Sequence, residues 1–235
     1  SQACPHVAGA AAVVMNWYDK RDGTVDGSYP SPAMVKALLI NTAKDVGTPN
    51  IPNGDEGWGR VYLPDIVSPP TNMLLYDNPQ LLTSASTFTK NVYCDQKTQP
   101  LKITLVWTDP AATSGANPTL KNNLNLKITS PSGQIYYGNA FTNGFSIAGA
   151  AAGNTNIGSD WDTGGLANTD DRNNVECVYI PSAALVSGAY KIDVIAESIA
   201  ADAVYGGSMD QDFALVVSNA REDFAVPASS VSVSG

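Results

Sequence analysis

Residues able to do chemistry cluster at two places in this 235-residue chain. The first is the opening stretch SQACPHVAGAAAVVM, where Ser1 and His6 precede Ala8, Gly9, Ala10, Ala11 and Ala12. A serine before a proline-started helix has two readings. It can be an N-cap whose oxygen accepts a first-turn amide. It can also be a nucleophile at the positive end of the helix, where unpaired amides favour a developing oxyanion. The second place is SDWDTGGLANTDDRNNVE, which gathers Asp160, Asp162, Asp170, Asp171, Asn173, Asn174 and Glu176. Hard oxygen ligands in a loop suit calcium, and a solvated acidic loop capped by Arg172 is the alternative. Asp160, Asp162, Asp170, Asp171 and Asn173 are the candidate ligands.

Composition narrows the partners. Net charge is −9, from 22 acidic and 13 basic residues. A phosphate backbone would be repelled, so nucleic acid is not expected. No apolar run approaches the roughly 18 residues of a membrane span, so no membrane partner is expected either. The three cysteines, Cys4, Cys94 and Cys177, have no zinc spacing, and His6 is the sole histidine. Cys94 and Cys177 fall in strand-like segments and could pair in an exported protein, or remain two buried thiols.

Two textures must position these residues. Residues 1–68 read as helical. Pro5 to Tyr18 is small or apolar on nearly every face, which predicts a buried helix. Ser31-Pro32 predicts an N-cap and a first helical turn, with Met34, Val35, Leu38, Leu39 and Thr42 forming one stripe. GWGRVYL predicts a glycine turn and a short strand. Residues 69–80 read as a proline-restricted linker. Over 81–220 the period changes to two: Leu101, Ile103, Leu105 and Trp107 share one face, as do Leu124, Leu126 and Ile128. VECVYI, YKIDVIA and FALVVS repeat the pattern, which is that of an antiparallel β-sandwich. SPSG at 130–133 predicts a tight turn, and residues 221–235 read as a tail that frays.

Ser1, Ala3, Pro5, His6, Val7, Ala8 and Gly9 match in register the nucleophile motif of the subtilisin-like serine proteases, which the chain resembles. Gln2 and Cys4 depart from the usual pattern. YPSPAMVKALLINTAKDV and GWGRVYL resemble the family's next helix and closing turn. PLKITLVWTDP, NNLNLKITSPSGQIYYGN and DDRNNVECVYI resemble the jelly-roll sandwich attached to one branch of the family. The resemblance implies an α/β remnant, the C-terminal helices of a subtilisin-like domain, followed by an all-β antiparallel jelly-roll-type sandwich. It implies Ser1 as nucleophile and His6 as a structural histidine.

In that family the general base, its orienting acid and the oxyanion asparagine precede the serine. The expectation is therefore a chain inactive alone, partnered by the N-terminal part of the protease domain that supplies Asp, His and Asn. A protein or peptide substrate and a secreted, extracellular or lumenal location go with it. Related proteases carry calcium, although this chain reads Asn123-Leu124-Asn125 where the related sandwich has Asp-Leu-Asp. A mechanism using the Ser1 amine as base and a non-catalytic binding or structural module are the rival readings.

Overall fold

The computed structural model describes residues 1–21, 29–47, 50–94, 97–154 and 169–223. Three helices come first: α1 (Ala3–Lys20), α2 (Pro32–Asn41) and the single turn α3 (Pro64–Val67). α2 begins as its sequence predicts. Ser31 is extended at φ −61°, ψ 156°, and its hydroxyl accepts the Met34 N–H at 3.0 Å, with Pro32 in the first turn.

The strands are β1 (Met73–Asp77), β2 (Thr87–Cys94), β3 (Leu101–Val106), β4 (Asn122–Thr129) and β5 (Ile135–Tyr137). They continue with β6 (Ala140–Thr142), β7 (Phe145–Ser146), β8 (Gly153–Asn154), β9 (Val175–Ile180), β10 (Gly188–Ile199), β11 (Ala214–Ser218) and β12 (Arg221–Glu222). One sheet has the order β1-β11-β3-β9 and the facing sheet β12-β2-β10-β4-β5. Their pairings are antiparallel throughout. With β6–β8 set aside as a small separate sheet and β12 as an added edge, this alternation of strands between two sheets is a jelly roll.

The period-two reading holds in three dimensions. Leu101, Ile103, Leu105 and Trp107 enter the core between the sheets, joined by Leu124, Leu126 and Ile128 of β4. The SPSG turn closes with Gly133 N–H donating to the Ser130 carbonyl. The opposite face of the first sheet builds a second core. There Val106, Cys177, Tyr179, Ala214 and Val216 meet Val14, Met34, Ala37, Leu38 and Ile66 from the helices. β9 is therefore buried at every position, because both of its faces are covered.

Four expectations change. Residues 73–77, read as linker, form β1 and pair with β11 from Met73↔Ser218 to Asp77↔Ala214. The proline pair ends at residue 70, so nothing after it removes a ladder donor. GWGRVYL forms no strand: it is held by two isolated antiparallel bridges, Asn53↔Gly57 and Lys44↔Arg60, and leads into α3. Arg221 and Glu222, assigned to the tail, pair with Tyr93 and Val92. Finally, α1 is not buried. Val7, Val13 and Met15 are 41%, 46% and 40% exposed, and the buried residues of the helix are Ala10, Val14 and Asp19. α1 packs on α2 and α3, and no described element covers its other face. The fraying expected of residues 224–235 lies outside the described residues.

Candidate functional site at the start of the first helix

The small side chains of α1 leave a helix that can be approached closely. At Gly9 an added Cβ would meet nothing within 4 Å. The helix starts without side-chain help: its N-cap is Gln2, in αR conformation at φ −84° and ψ −36°, with no side-chain cap hydrogen bond. Ser1 precedes it and is exposed. The hydroxyl therefore does not do the N-cap's work, and first-turn amides stay without a side-chain acceptor at the positive end of an 18-residue helix.

His6 Nδ1–H donates to the Gln2 carbonyl at 2.6 Å. That contact turns the ring back along its own helix. His6, Val7, Gly9, Ala10 and Val13 face Val61–Pro64 across an apolar groove. As a catalytic set the site is incomplete: Ser1 is present, and the chain holds no second imidazole.

The acidic stretch resolves differently. Asp160 and Asp162 lie outside the described residues. Asp170 is fully buried, and both its oxygens are used. Oδ1 accepts the Arg172 and Asn173 N–H groups at 2.9 and 3.0 Å. Oδ2 accepts Asn139 Nδ2 at 2.7 Å and Asn173 Nδ2 at 2.8 Å. Burial raises the Asp170 pKa while these four donors oppose the rise. The carboxylate thus organises a turn and ties it to Asn139. No group of three or more His, Cys, Asp or Glu that could hold a metal occurs among the described residues, and Asp170, Asp171 and Asn173 do not fit a cation by themselves. Asn125 Nδ2 donates to Glu197 Oε2 at 2.5 Å and Asn123 Nδ2 to the same oxygen at 3.4 Å. Amides at those positions supply donors where carboxylates would repel Glu197.

Cys94 and Cys177 are free thiols, buried in the two different cores. Of the two readings offered for them, the buried thiols hold. Burial pushes the Cys177 thiol up to about 12, so it is not a nucleophile at neutral pH.

Sequence reasoning missed a polar set beneath the end of α2. Asn41, 1% exposed, donates through Nδ2 to Thr104 Oγ1 at 3.0 Å and to the Lys102 carbonyl at 3.3 Å. The Ser218 hydroxyl donates to Asn41 Oδ1. The signal was present as an asparagine ending an otherwise apolar helical stripe.

Comparison with known proteins bears on the first helix directly. Residues 1–59 match the model of the subtilase family of peptidases. The chain is also 34% identical over 161 residues to the serine protease/ABC transporter B family protein tagA of Dictyostelium discoideum. That alignment covers 60% of this chain and 9% of the relative, so the chain spans a small part of the length of the protein it matches.

Proposed function

We propose, from the premise that residues 1–59 are subtilase sequence, that this chain is the nucleophile-bearing C-terminal part of a secreted serine endopeptidase. Ser1 attacks the peptide carbonyl, and its proton passes to an imidazole outside these 235 residues. An acid outside the chain orients that imidazole. The amides opening α1 share in stabilising the tetrahedral oxyanion, together with an asparagine supplied from outside. A covalent acyl-enzyme forms as the leaving amine takes the proton, and water then hydrolyses the ester.

One observation carries this reading: Ser1 is exposed and uncapped at the head of a helix whose apolar face is open. The rest of the catalytic domain is the partner that would cover Val7, Val13 and Met15. The 235-residue chain alone is expected not to hydrolyse peptides.

The test is a fluorophosphonate probe applied to the full-length native protein. The expected result is labelling at Ser1, lost in Ser1→Ala with a fall in kcat of roughly 10⁴-fold or more. An intact, substrate-free fold that never labels would instead support the non-catalytic module. Gly9→Leu supplies a second check. The substitution meets open space in this chain, so the isolated chain should keep its stability to within about 1 kcal/mol. A bulky side chain on that face should nevertheless abolish association with the upstream polypeptide, read by co-purification. Calcium held through Asp160 and Asp162, which lie outside the described residues, belongs to the same reading, and a lowered melting temperature in EDTA is its expected sign.

A further inference from the structure

A cavity of about 130 Å³ lies where the end of α2 and the residues after α3 meet the edge of the sandwich. Asn41, Lys44, Asp65, Thr71, Gln99 and Lys102 line it. Its charge is unlike that of the whole chain. Lys44 and Asp65 form an ion pair at 2.5 Å, which leaves Lys102 without an ion pair among the described residues. The Lys102 ammonium donates to the Asn41 carbonyl over a long 3.4 Å and lies 4.7 Å from the centre of the Tyr179 ring. Those two contacts leave N–H capacity directed to the cavity, since an ammonium carries three donors. The Thr71 hydroxyl and the Gln99 amide add neutral donors with no side-chain partner among the described residues.

A lysine that only capped the carbonyls of α2 would need neither a cavity in front of it nor idle donors around it. We propose that this cleft binds the carboxylate of a small ligand, with the Lys102 ammonium as its anchor and Thr71 and Gln99 as supporting donors. Among the residues that line the cleft itself, two lysines face the single carboxylate of Asp65, so one further carboxylate can be accommodated. Pro69, Pro70, Pro100 and Met73 form apolar walls for the rest of the ligand. The site is separate from Ser1 and stands whether or not the chain serves a protease.

The charges facing Lys102 set its behaviour. Burial first, and then the nearby Lys44, lower its pKa to about 8 against the opposing effect of Cys177, Asp65 and Asp45. A bound carboxylate must raise that pKa, and by reciprocity deprotonation must weaken binding. Affinity should therefore be highest below pH 8 and fall about tenfold for each unit by which the ligand raises the pKa.

The experiment is NMR on the full chain carrying ¹³C-labelled lysine, titrated with acetate, inorganic phosphate and, at matched ionic strength, chloride. The expected result is a saturable acetate shift at Lys102 Cε, absent at the exposed Lys97, with the Lys102 pKa raised. Thr71→Ala and Gln99→Ala, both outside the cores, should weaken it several-fold. An acetylated dipeptide with a free C-terminus, compared with its C-terminal amide, separates a peptide terminus from a free small acid: the source is whichever of dipeptide acid and acetate binds tighter. Equal non-saturating shifts at Lys97 and Lys102, or saturation by phosphate without acetate, overturn the proposal.

Discussion

Glu176 is the residue where chemistry and folding conflict most sharply. It projects from β9 into the space between the sheets and is 1% exposed. Oε2 accepts the Leu126 N–H at 2.6 Å, while Oε1 is buried without a hydrogen-bond partner. Gly138 makes room for it, because a Cβ there would lie 2.0 Å from Oε2. Burial raises the Glu176 pKa well above its ordinary 4.5; the Leu126 amide opposes this, and the like charges of Asp170 and Glu197 add to it. A raised acid pKa means that the folded state binds a proton the unfolded chain releases. The contribution of Glu176 to stability is whole below about pH 4.5 and declines as pH rises toward its folded value, by about 1.4 kcal/mol per unit. Denaturant unfolding between pH 5 and 8 should thus show a steeper loss in the wild type than in Glu176→Gln. Equal slopes would show that the carboxyl is already ionised in the fold. The sequence grouped Glu176 with the loop carboxylates because acid spacing was the visible signal. What places it between two sheets is the alternation of VECVYI, in which 176, 178 and 180 share a face. Alternation alone does not say that both faces are covered.

Among the elements, legibility followed periodicity. β3 and β4 were readable because each alternates over six or more residues and buries its apolar face as expected. β1 was not readable, since MLLYD does not alternate and two prolines precede it by three residues. The GWG turn shows how a glycine pair can mislead. Gly57 and Gly59 have φ of +59° and +102°, which suits a turn, yet the apolar VYL after it is not paired as a strand. Trp58 instead packs edge-on against Phe141 and Tyr179, at centroid distances of 5.9 and 6.4 Å, and this docks the turn on the sandwich. The two glycines should respond differently to substitution. A Cβ at Gly59 would lie 2.6 Å from the Lys44 carbonyl oxygen, while one at Gly57 meets nothing within 4 Å. Gly57→Ala should cost about 1 kcal/mol, the ordinary penalty for positive φ. Gly59→Ala should cost roughly 3 kcal/mol, since the Lys44–Arg60 bridge must also shift. Matched costs in chemical denaturation would mean that the close approach relaxes freely.

For the whole molecule, the decisive feature is that the helices do not hang from the sandwich by a linker. Leu38 and Met34 are fully buried against Val106, Tyr179 and Val216. Asn41 carries hydrogen bonds from the end of α2 to β3 and β11. The outer face of the β1-β11-β3-β9 sheet is apolar because α2 covers it. Removing α2 would expose Val106, Ala214 and Val216 to water, so each part loses buried apolar area without the other. A beads-on-a-string arrangement would give two transitions; shared burial predicts one. Leu38→Ala should lower stability by about 2–5 kcal/mol, the range for a large-to-small change in a core. It should do so equally for amides in α2 and for amides in β3 and β11, measured by hydrogen exchange under mildly denaturing conditions. Loss of protection confined to α2, with the sheet's amides unchanged, would show that the two parts unfold separately. The same shared core explains why the face of α1 turned away from the sandwich can stay open. α2, not α1, closes the sheet, so Val7, Val13 and Met15 of α1 stay exposed without a covering element among the described residues.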